Sequence, residues 1–209
     1  MRVLLFFAGF LIMTSGFAAT PAVPPLNPEA DPAAGQIKAT TCIGCHGIPS
    51  YDNAYPTYNV PKIAGQQEAY IIAALKSYKA GTRQHATMHA QAASLSEQDM
   101  ADIAAYLSQL GEVPAEKADP ASAPEAAAVC GSCHGLGGIS TIPANPILAG
   151  QYPDYLEHAL KAYKNGGREN AIMKTFASQL TEAEIKALAH WYSQQPSPLE
   201  TIPHEGTPF

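Results

Sequence analysis

The 209-residue chain has no cysteine to spare, no sustained runs of β-branched residues and no excess of positive charge. Each absence excludes something. Its four cysteines fall into two short runs, so none is left over for a disulfide framework. Alanine and other helix formers dominate where β-branched runs are scarce, which predicts an all-α fold. Twelve Lys and Arg against 18 Asp and Glu give a net charge of −6, so a nucleic-acid role has no electrostatic support. A strongly basic docking face is not evident either. The acid excess sits in the segment after the leader, in the linker and in the tail.

What is present starts with two pentapeptides, Cys42-Ile43-Gly44-Cys45-His46 and Cys130-Gly131-Ser132-Cys133-His134. Both are C-x-x-C-H runs, the spacing of c-type haem attachment. Two thiols three positions apart reach the two vinyl groups on one haem edge, and the adjacent imidazole reaches the iron. A redox disulfide or half of a zinc site is the competing reading of one such run. That all four cysteines fall into two runs ending in His favours two covalent haem c groups, held by Cys42, Cys45, Cys130 and Cys133.

Residues 1–18 read as a secretory signal peptide: Arg2, an apolar run over 3–13, and small residues before a cleavage point after Ala18. The alternative is an uncleaved anchor, for which the run is short. Residues 19–30 are Pro- and Ala-rich and are expected to be flexible. A first domain is expected over 31–112, with the segment 31–35 leading into a helix that ends near Cys42, a loop over 51–60, a helix stopped by Gly81, and a last helix capped by Ser96. A Pro-rich linker follows over 113–124. The pattern then repeats over 125–196, before a tail at 197–209. The cysteines recur at an offset of 88. Beyond the second run the offset is 85, so Pro61, Gly65, Gln66, Arg83 and Leu95 match Pro146, Gly150, Gln151, Arg168 and Leu180. A repeat of this length means two copies of one small domain. Each has little core of its own, and a held haem would supply much of it.

An iron with one His needs a sixth ligand, a substrate or an open site. The repeat sorts the candidates. Met88 and Met173 correspond, each seven residues before the leucine that precedes the last helix. Met100 matches Ile185 and is a core position. His85 matches Asn170, His89 matches Lys174, and no remaining His recurs. The predicted axial sets are therefore His46 with Met88 and His134 with Met173. Plain core packing of the two methionines, or His89 in the first domain, are the competing readings.

With these motifs the chain resembles the cytochrome c4 family, exported proteins built of two class I cytochrome c domains. The resemblance spans about 31–195. Its most specific marks are the haem runs, the paired P-x-[IL]-A-G-Q segments and the Met-x6-Leu-[ST]-Glu motifs. It implies that the Pro61 and Pro146 carbonyls hold His46 and His134, and that Ile63 and Leu148 face haem. It also implies that Arg83 and Arg168 reach propionates, a solvated surface role being the alternative. The implied function is a periplasmic one-electron shuttle in a respiratory chain, not an enzyme. A quinol-oxidising complex or a dehydrogenase would be its donor and a terminal oxidase its acceptor. Peripheral membrane association is compatible with this. The competing function is the dihaem subunit of a flavo- or quinoprotein dehydrogenase, such as one for sulfide or alcohol, with the 51–60 loop and the tail as docking surfaces. Catalysis at haem, as in dihaem peroxidases, would need an iron that opens.

Overall fold

A computed structural model describes residues 26–116 and 118–204. The predicted signal peptide lies outside the described residues. In the first half, Asp31 caps helix α1 (Pro32–Lys38), its carboxylate accepting from the Ala33 and Ala34 amides. A break at Ala39 leads into α2 (Thr40–His46), so the haem run is helical rather than the sequel to a helix. Helix α3 (Glu68–Ala80) ends at Gly81, which takes the left-handed conformation at φ 78°. Then come α4 (Ala86–Ala93) and α5 (Glu97–Ser108), the latter opened by a capping box of Ser96 and Asp99. The second half has a short 3₁₀ turn (Pro120–Ser122), α6 (Ala127–His134), α7 (Pro153–Asn165), α8 (Ala171–Gln179) and α9 (Glu182–Ser193). Thr181 and Glu184 repeat the capping box. Among the described residues no helix is long and apolar enough to cross a membrane.

Helix α1 crosses α5 at Gly35, where a Cβ would come within 2.0 Å of the Asp102 carbonyl oxygen. Below the crossing, Ala39, Ile71, Ile103, Ala104 and Leu107 form the first core. Ala127, Leu156, Leu188, Ala189, Trp191 and Tyr192 form the second.

The two halves meet through repeat-related residues. Gln66 donates to the Ile147 carbonyl (3.1 Å) and accepts from the Ile147 amide (2.8 Å). Gln151 does the same with Lys62, at 2.8 and 3.0 Å. The Gln84 amide donates to Gly167, and the Glu169 amide to Thr82, both at 2.8 Å. Lys62 and Ile147, Thr82 and Gly167, and Gln84 and Glu169 are each 85 positions apart. The interface is therefore isologous, with Arg83 and Arg168 paired across its pseudo-two-fold axis.

Two segments have no counterpart in the other half. Residues 51–60 form a small hairpin, β1 (Asp52–Ala54) paired antiparallel with β2 (Thr57–Asn59). It lies on α7: Tyr58 stacks on His158 with ring centroids 4.1 Å apart, and the Asn59 amide donates to Asp154 (2.8 Å). The tail returns from α9 across both halves, burying Leu199 and Ile202. Both segments thus join the halves to each other.

Candidate haem sites

Helical spacing puts Cys42 and Cys45 on one side of α2, and Cys130 and Cys133 on one side of α6, with His46 and His134 closing each helix. All four cysteines are free thiols. Burial pushes the Cys42 and Cys130 thiols up. No three His, Cys, Asp or Glu side chains converge as a metal cage among the described residues.

His46 Nδ1 donates to the Pro61 carbonyl at 2.8 Å, and His134 Nδ1 donates to the Pro146 carbonyl at 3.0 Å. Both rings are buried, at 8% and 6% exposure. Burial pulls both imidazoles below their ordinary pKa, so they are neutral at neutral pH. A neutral ring that donates from Nδ1 presents its Nε2 lone pair to a metal, with the carbonyl fixing tautomer and orientation. The turns carrying those carbonyls are tied to the last helix of their own half. Gly65 N donates to the Leu107 carbonyl (2.8 Å) and Gly150 N to the Tyr192 carbonyl (2.9 Å). Ile63 packs against the first core and Leu148 against the second.

Met88 and Met173 are half-buried in the first turns of α4 and α8. Their helices are capped alike. His85 Nδ1 accepts from the Met88 amide (3.1 Å), and Asn170 Oδ1 accepts from the Met173 amide (2.9 Å). These capping residues escaped the sequence reading, although the 85-residue offset relates them and Asn is a common cap. His85 and Arg83 are near enough to the His46 imidazole to lower its pKa a little further. His89 is held elsewhere, its Nδ1 donating to the Tyr78 carbonyl (2.8 Å).

Arg83 and Arg168 are not solvated. They are 7% and 6% exposed, among Tyr70, Tyr78, Tyr155 and Tyr163. The Tyr155 hydroxyl accepts from Arg83 Nη2 (2.7 Å) and from Arg168 Nη2 (3.4 Å). Arg83 lies over the Tyr78 ring, 4.4 Å from its centroid. Burial opposes ionisation of Tyr155, but the two guanidiniums outweigh it and lower its pKa. No ion pair to either arginine occurs among the described residues, and Arg83 Nε is buried without a hydrogen-bond partner. Two buried cations with an orphaned N–H are unusual unless an anion belongs there. Carboxylate substituents of a cofactor fit. Tyr192 Oη, buried near Cys130, is similarly orphaned. Thiols, imidazoles, thioethers and cations together match the needs of haem c.

Two family profiles match the halves: Cytochrome c over 32–111, and Cytochrome C oxidase, cbb3-type, subunit III over 120–191. Cytochrome c4 of Pseudomonas aeruginosa is 33% identical over 77% of this chain and 87% of its own length. The thiosulfate dehydrogenase electron acceptor of Thiomonas intermedia is 32% identical over 78% of this chain and 82% of its own. In structure, reduced recombinant cytochrome c4 from Pseudomonas stutzeri superposes with a TM-score of 0.65 at 32% identity, covering 79% of this chain and 99% of that one. The thiosulfate dehydrogenase of Marichromatium purpuratum gives the same TM-score at 28% identity, over 79% of this chain and 40% of that one.

Proposed function

Because this chain belongs to the dihaem cytochrome c4 family of electron-transfer proteins, we propose that it carries single electrons in the periplasm on two haem c groups, each with a His–Met axial pair. The carrying observation is the doubled site. Each half offers a buried neutral imidazole oriented by a proline carbonyl, and a methionine on a helix capped in the same way. Cys42 and Cys45 would hold one haem and Cys130 and Cys133 the other. His46 with Met88, and His134 with Met173, would fill the axial positions. When bound, the group supplies reversible one-electron chemistry at iron. The chain's part is to keep that iron saturated and dry. With His and Met in both axial positions there would be no place for a substrate, which is why the reading is a carrier and not a peroxidase. Thioether ligands favour the ferrous state, so both potentials are expected to be positive.

A respiratory shuttle that delivers to a terminal oxidase is the first reading of its place. A second is supported by the likeness to thiosulfate dehydrogenase electron acceptors: the chain would accept electrons from a dehydrogenase of a reduced sulfur compound. Intact mass of the exported protein is the direct test of the site. Two haem increments on a chain beginning near residue 19 are expected, and fewer than two would sink the assignment. Stopped-flow reduction by a thiosulfate dehydrogenase, set against oxidation by a terminal oxidase, separates the two places in the chain of carriers.

A further inference from the structure

The tail reaches the same positions of both repeats. The Ser197 hydroxyl donates to the Ala149 carbonyl, and the Glu200 amide and carbonyl pair with Ala64 at 3.0 and 3.2 Å. Ala64 and Ala149 correspond at the 85-residue offset. So do the glycines beside them. A Cβ on Gly65 would lie 2.2 Å from the Pro198 oxygen, and one on Gly150 would lie 2.4 Å from Ser197 Cβ. Both glycines have positive φ, 78° and 64°. They turn the chain and leave the groove in which the tail is seated. Each turn carries, a few residues earlier, the proline carbonyl that orients an imidazole.

The side chains divide between the halves. Leu199, 3% exposed, packs with Ile147, Ala149 and Ile139 of the second half. Ile202, 1% exposed, lies in the first core with Ala39, Ile71, Ile103 and Leu107, and its amide donates to the His46 carbonyl at 2.9 Å. Thus the first core is completed by the tail, beside His46.

We propose that residues 197–202 are a positioning strap for the two proximal histidines, with Ile202 fixing the surroundings of His46 and Leu199 those of His134. This rests on those histidines being the axial ligands. Removing the Ile202 side chain opens the first core beside His46. Water that enters there favours the more highly charged ferric state, because burial and dielectric are among the protein's means of setting a haem potential. Leu199 stands in the same relation to the segment that holds His134.

The test uses the full-length dihaem protein, titrated electrochemically while the NMR signals of each haem are followed. Ile202→Ala is expected to lower the first potential and leave the second in place. Leu199→Ala is expected to do the reverse, and Ile202→Val to restore most of the first. A merely stabilising tail would not give this crossed pattern. Two bound haems with unmoved potentials, or equal shifts of both in either variant, would overturn the strap alone. Fewer than two haems in the wild type would overturn the site reading and the strap with it. Should the alanine variants not fold, amide exchange in the wild type decides. Glu200 and Ile202 must exchange as slowly as the core of α5; fast exchange there overturns the proposal.

Discussion

His85 and Asn170 show what one residue changes in an otherwise repeated site. Both cap the helix that carries a methionine, but only His85 can also bind iron. Burial, with Arg83 next in effect, lowers its pKa, and because its Nδ1 accepts from the Met88 amide a neutral ring carries its proton on Nε2; it must release the cap and move that proton to Nδ1 before Nε2 can bind iron. His89 donates from Nδ1 to the Tyr78 carbonyl, which leaves its Nε2 lone pair unprotonated when the ring is neutral. We expect Met88→Ala to remain low-spin through capture by a neighbouring histidine, His89 or, once it gives up the cap, His85, with a lowered potential and half the Met-to-ferric charge-transfer band lost. Met173→Ala, with Asn170 and Lys174 in place of the two histidines, should instead turn high-spin at neutral pH. The double variant Met88→Ala/His85→Asn tells the two captors apart: a high-spin iron names His85 and a low-spin iron names His89. Optical and EPR spectra decide; a full charge-transfer band in Met88→Ala would remove Met88 from the axial role. The candidate ligands could be named from the sequence because only Met recurs at the right offset. The His85 cap could not, since histidine is an uncommon cap and its role depends on a backbone amide that no pattern of side chains reveals.

At the scale of elements, the cap at Ser96 and the left-handed stop at Gly81 were legible because their chemistry is local. The hairpin was read as a loop. Its strands are three residues each, too short for an alternating pattern, and its stability comes from α7 rather than from its own sequence. That contact has a pH signature. Burial, followed by the Arg168 guanidinium, lowers His158 from 6.5 to about 4, with His85, Arg83 and Lys161 adding to the effect. Between those values the unfolded chain binds a proton that the folded chain does not. Stability contributed by the neutral ring is therefore fully present above pH 6.5 and is lost as the pH falls towards 4. The thermal midpoint of the wild type should drop across this window, and His158→Gln should flatten that drop. Parallel curves for the two proteins, measured by circular dichroism, would remove His158 as the cause.

For the whole molecule, the repeat announced two copies but not how they meet. The interface is made largely of backbone groups served by two glutamines, and neither periodicity nor composition marks a glutamine for that use. Arg83 and Arg168 likewise look like surface residues in sequence and are buried only because the halves close over them. Gln66→Ala strips two bonds from Ile147, and Gln151→Ala strips two from Lys62. Unpaired buried groups cost about 1–3 kcal/mol each. The double variant should unfold in two calorimetric steps where the wild type unfolds in one, while each haem keeps its axial spectrum. A single transition in the double variant would mean that the hairpin and tail alone keep the halves cooperative.

The isologous arrangement of that interface carries a further meaning. A self-complementary face closes on a copy of itself and is then used up. One half bearing Gln66, Lys62, Thr82 and Gln84 holds the complete set of complementary positions, so two separate copies would meet in a two-fold dimer through the same bonds. The present chain is that dimer with its subunits joined end to end. Joining them frees each copy from having to match the other, and the hairpin and tail are what such freedom permits: additions made once, on one side of an axis that would otherwise have demanded them twice.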